Sequence, residues 1–63
     1  MRKKLINARK EMHLTQKQVA EIVGISVSLY QKLETGERLG KIATWDALED
    51  FFVINQRVLR TMF

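Results

Sequence analysis

Apolar residues along the chain fall into short groups at helical spacing, and a residue suited to capping opens several of these groups. Leu5, Ala8 and Met12 stand at i, i+3 and i+7 and predict the inner face of a first helix. His13 reads as a loop residue after it. In "LTQKQV", residues 14–19, Thr15 as N-cap and Gln18 three positions on form a capping box. Each of those side chains satisfies the other's free backbone N–H, while Leu14 and Val19 supply the accompanying hydrophobic staple. Val19, Ala20 and Val23 then face inward as far as Gly24, where a residue without Cβ can stop the helix in the left-handed conformation.

The same grammar repeats downstream. Ser26 caps a third helix stapled by Ile25 and Tyr30, with Tyr30 and Leu33 inward and Gly36 as the stop. After "GERLGK", the stretch from Ile42 to about Val53 predicts a fourth helix with Ile42, Trp45, Leu48 and Phe52 inside. Asn55 caps a short fifth helix, stapled by Ile54 and Leu59. The expected fold is all-α: a compact five-helix bundle.

Sixty-three residues predict one domain, 1–63, with a helix-turn-helix at about 15–35. A chain of this size buries only ~60% of its unfolded surface. It contains no cysteine, so neither a disulfide nor a cysteine-bound zinc staples it, and well-fitted helices helped by self-association or a ligand are the expected support. The longest apolar run, "FFVI", is far too short to span a bilayer, and the basic start lacks the apolar stretch of a leader. A cytoplasmic location, no membrane contact, no cofactor and no small-molecule ligand are the corresponding expectations.

Charge adds a direction. Residues 1–41 hold nine Lys/Arg against four Asp/Glu, whereas residues 42–63 hold two against three. This asymmetry suits a polyanion on one side of the molecule, although an ordinary solvated surface accounts for it equally. The Arg2-Lys3-Lys4 run reads both ways, as part of that basic side or as a solvated chain end.

Counted from Gln16 as position one, Val19, Ala20, Val23, Gly24, Ile25, Tyr30 and Leu33 occupy positions 4, 5, 8, 9, 10, 15 and 18. With Arg9, "LTQ" at 14–16, "GIS" at 24–26, "LETGER" at 33–38 and "TW" at 44–45, the layout resembles the phage Cro/repressor-type (XRE-like) helix-turn-helix transcriptional regulators. The resemblance covers residues 5–60 and implies a lambda-repressor-like DNA-binding domain, dimeric on a two-fold symmetric duplex site, with repression as the usual output. It also implies that the helix at 26–35 enters the major groove and presents Val27, Ser28, Gln31 and Lys32. Gln16 would lie over the backbone or reach an adjacent base. Thr15 and Ser26 would offer hydroxyls to phosphate, and Arg38, Lys41 and Thr44 would complete the backbone contacts. Arg9 and Glu34 match positions that pair in the family, tying the first helix to the end of the third.

Each assignment has a plainer counterpart. Thr15 and Ser26 are caps whatever else they do, Gln31 and Lys32 sit where a solvated helix face would be, and Trp45 suits the core. The sequence departs from the family at His13 and Val53, where glycine is frequent, and in having Gly40 near the usual proline of the loop. Val27 and Leu29 make the reading surface more apolar than usual. They favour a second class of function, a protein-interaction module such as an antitoxin or transcriptional cofactor. An enzyme is the weakest reading, because Asp46, Glu49 and Asp50 read as a solvated face and no His/carboxylate/nucleophile set accompanies them. Phe51, Val53, Val58, Met62 and Phe63 are the candidates for an apolar dimer patch.

Overall fold

The helix stops and starts predicted from capping chemistry are realised in the computed structural model, which describes residues 1–62. Five helices follow one another: α1 (Lys3–Glu11), α2 (Gln16–Val23), α3 (Val27–Thr35), α4 (Ile42–Phe52) and α5 (Gln56–Leu59). At the start of α2 both halves of the capping box form, with Gln18 N donating to Thr15 Oγ1 at 3.1 Å and Thr15 N to Gln18 Oε1 at 2.8 Å. Ser26 Oγ accepts from Leu29 N at 3.1 Å, and Asn55 Oδ1 from Arg57 N at 2.8 Å. Gly24 ends α2 in the left-handed conformation, φ 78°. That sharp stop turns α3 across α2, with which it makes the most extensive contact between elements.

Every helix contributes to one core. Leu5, Val19, Tyr30, Leu33, Leu48 and Leu59 are fully buried, and Trp45 and Phe52 complete the filling from α4. Burial of side chains this size contributes roughly 1.5–3 kcal/mol each, and short helices such as these depend on that packing because they would not persist alone. The acidic cluster on α4 has a structural use. Glu49 Oε2 accepts from Gln56 N at 3.0 Å, and Asp46 Oδ1 from Gln56 Nε2 at 2.6 Å, so both hold the start of α5.

Two expected core positions are corrected. Met12 is 46% exposed, because it is the C-cap of α1 and lies beyond the last residue that keeps helical register with Leu5 and Ala8. Ile42 is 72% exposed, because the first turn of α4 overhangs the bundle and the core begins one turn later at Trp45. There the loop closes over the indole: Trp45 Nε1 donates to Leu39 O at 2.7 Å. A Cβ on Gly40 would come within 2.8 Å of Leu33 Cδ2 and 3.1 Å of Trp45 Nε1, so a residue without one is required. At the two positions where the sequence departs from glycine, His13 and Val53 both adopt φ 56° and keep the left-handed turn despite their side chains.

Candidate nucleic-acid interface

Helix α3 is divided lengthwise by burial. Tyr30, Leu33 and Glu34 are buried, while Val27, Ser28 and Gln31 are exposed and Lys32 is half-buried. The residues expected to read bases therefore share one face that projects from the bundle. A continuous hydrogen-bonded chain runs to that face from α1. Arg9 Nε donates to Glu34 Oε2 at 2.7 Å, and Arg9 Nη1 to Leu14 O at 2.9 Å. Gln16 Nε2 donates to the second carboxylate oxygen, Glu34 Oε1, at 2.9 Å. Gln31 Nε2 in turn donates to Gln16 Oε1 at 3.2 Å.

The Arg9–Glu34 pair was legible in the sequence; the extension through Gln16 to Gln31 was not. Sequence reasoning placed Gln16 toward DNA, whereas the structure half-buries it and engages both ends of its amide internally. The hydrogen bond to Glu34 is the main reason the Arg9 pKa is raised above its ordinary value. Gln31 spends one N–H on Gln16 and keeps its other N–H and its carbonyl oxygen. That donor and acceptor are the pair needed to meet N7 and N6 of adenine.

Beside α3 lies the loop that leads into α4. Arg38 and Lys41 are exposed there, and Thr44 is half-buried in the first turn of α4. No side chain caps α4, whose N-cap is Lys41, so its first amides and the positive end of its dipole remain open to an anion. Between this loop and α3 runs a groove of about 470 Å³ with Ile25, Leu29 and Leu33 on one wall and Arg38 to Lys41 on the other. Thr15 and Ser26 are exposed at their helix starts, with their hydroxyl oxygens already used in capping. Among the described residues no group of three or more His, Asp or Glu side chains is gathered to hold a metal.

One residue of the basic start fits neither of its two readings. Lys3 and Lys4 are exposed as a solvated end requires, but Arg2 is only 3% exposed. Its Nη1 donates to Leu33 O at 2.6 Å and to Arg38 O at 2.9 Å, and its Nε to Arg60 O at 3.2 Å. Burial, with a smaller contribution from Arg60, draws its pKa below the ordinary value. Three successive basic residues look alike in sequence, and nothing local marks the first as the one that turns inward.

The order of these parts, a capped helix, a glycine corner and a second capped helix with a free outer face, agrees with the comparison to known families. A family model described as helix-turn-helix, of the Cro/C1 type, matches residues 5–52, which is most of the chain. The chain belongs to the Cro/C1-type helix-turn-helix family. No curated protein and no solved structure gives a significant match. Membership makes this a DNA-binding transcription regulator. The matched stretch of the helix-turn-helix protein includes the whole Arg9–Glu34–Gln16–Gln31 chain but neither Arg2 nor α5. No helix of the described residues is long and apolar enough to cross a membrane.

Proposed function

We propose that this helix-turn-helix protein is a cytoplasmic repressor that folds as one domain and binds a specific operator as a homodimer, with α3 in the major groove. The observation that carries this reading is the hydrogen-bonded chain that holds Gln31 on the exposed face of α3. A side chain anchored from behind loses less freedom on meeting a base, and its remaining donor and acceptor suit adenine. Ser28 offers a hydroxyl to a base edge, Val27 an apolar contact for a thymine methyl, and Lys32 a contact with base or phosphate. Thr15, Gln16 and Ser26 lie at helix starts that favour phosphate, as do Arg38, Lys41 and Thr44 around the open start of α4.

Repression needs only occlusion of the site by the bound protein. For the second copy, the apolar surface around α5 is available: Val53 is 87% exposed, and Val58 and Met62 40% each. Phe51 is half-buried, and Phe63, also expected in that patch, lies outside the described residues. Two-fold pairing would set half-sites about one helical turn, ~34 Å, apart.

A second reading, docking of a protein partner, draws on Leu39 and Ile42, each 72% exposed beside Lys41. Selection from a random duplex library at low salt separates the two. A palindromic consensus containing adenine at the position facing Gln31 is expected. Recovery of no duplex would transfer the surface to a protein partner, and an asymmetric consensus would remove the dimer.

A further inference from the structure

We propose that Arg2 is a positioning residue for DNA binding, tying the loop that carries Arg38 and Lys41 to the C-terminal end of the reading helix. The proposal rests on the reading that this loop touches phosphate. One guanidinium nitrogen, Nη1, bridges the two parts directly, accepted by Leu33 O of α3 at 2.6 Å and by Arg38 O of the loop at 2.9 Å. The backbone N–H of Arg2 adds a bond to Glu34 O at 2.8 Å. Leu33 and Glu34 belong to the last turn of α3, whose carbonyls have no partner within the helix and carry the negative end of its dipole. A buried cation at this point satisfies them and complements the dipole at once. Its Nε reaches Arg60 O beyond α5, and its Cζ lies over the Trp45 ring, 5.2 Å from the centroid.

The loop has few other ties. Arg38 N donates to Lys32 O at 3.3 Å, and Leu39 O accepts from Trp45 Nε1 at 2.7 Å. Side-chain packing adds the close approach of Gly40 to Leu33 and Trp45, while a groove opens between Leu29 and the rest of the loop. The distance between the base-reading face of α3 and the phosphate-contacting loop is thus held by that one packed glycine and by hydrogen bonds, of which Arg2 supplies those that join helix end, loop and α5. Since phosphate contacts set the register in which base contacts are made, loosening this tie should cost more on a specific site than on a random one. Lysine can replace the charge but not the fork that serves several carbonyls together.

The test compares full-length wild type, Arg2→Met and Arg2→Lys, each at a temperature where its own thermal melt shows it folded. Binding to the selected operator and to a scrambled duplex is followed across a salt series, and backbone order at residues 36–41 by ¹⁵N relaxation without DNA. For Arg2→Met we expect lower order in the loop, about tenfold weaker operator binding, a smaller loss on the scrambled duplex and a salt slope reduced by about one. Arg2→Lys should lie between. A folded variant with wild-type loop order and an unchanged operator-to-scrambled ratio overturns the proposal, whatever its melting temperature. If Arg2→Met does not fold, Arg2→Lys decides on the same two readouts. If wild type itself shows no salt-dependent duplex binding, the functional reading fails, and loop order alone then judges the tether.

Discussion

At Glu34 a single buried carboxylate accepts from Arg9 through both oxygens, at 2.7 and 3.4 Å, and from Gln16 through Oε1. Removing it strips the support behind Gln31 and leaves the Arg9 guanidinium, only 13% exposed, without its partner. Breaking a buried pair from one side costs about 3 kcal/mol, far more than the intact pair contributes over an apolar substitute. Glu34→Ala should therefore lower the melting temperature by about 10 °C or more and weaken operator binding with it. An unchanged melt would show that the pair does not hold α1 to α3. Tyr30, on the inner face of α3, has a different imbalance. Its hydroxyl is buried with no hydrogen-bond partner among the described residues, and burial, followed by the nearby Glu34, pushes its pKa upward. A folded-state pKa above the unfolded one means that the contribution to stability is full below about pH 10 and is lost as pH rises further. Tyr30→Phe should keep neutral-pH stability within about 1 kcal/mol, because the lost hydroxyl made no bond. It should also flatten the alkaline decline, read by urea melts on either side of pH ~10.

Among the elements, helix boundaries follow local chemistry even where that chemistry is costly. Val53 closes α4 at φ 56°, ψ 41°, a conformation that crowds a branched Cβ, yet its side chain is almost wholly in solvent. The left-handed conformation costs an L-residue about 1–2 kcal/mol, partly offset by the extra chain entropy that glycine would lose on folding. Val53→Gly should raise the stability of the isolated chain by about 1 kcal/mol in denaturant melts. If Val53 lies in the proposed dimer contact, the same change should weaken self-association in sedimentation. A Val53→Gly chain that is less stable as a monomer would show that the left-handed turn does not strain Val53.

For the whole molecule, the relevant quantity is how base-reading and phosphate-contacting groups divide over one surface. Gln31 ends a polar chain that begins in α1, whereas Arg38 and Lys41 stand on a loop across an open groove. Gln31→Ala should cost about 1–3 kcal/mol on the operator, relax the preference at one base position and leave the salt slope unchanged. Arg38→Gln and Lys41→Gln should weaken all duplexes to a similar degree and reduce the slope by about one each. Identical behaviour of the two groups would show that the division is false.

The local sequence was sufficient for the helices, their caps and their stops, because a capping box or a left-handed glycine acts within a few residues of itself. It also indicated the face of α3 that stays free, since inward positions at helical spacing leave the others outside. Met12 and Ile42 escaped that logic because periodicity cannot show where a helix end overhangs its bundle. What reaches across the chain was decided only by the tertiary structure: the engagement of Gln16 between Glu34 and Gln31, and the burial of Arg2 against Leu33, Arg38 and Arg60. A long polar side chain carries no local signal of which distant carbonyl or carboxylate it will meet. That partner exists only after the helices have packed.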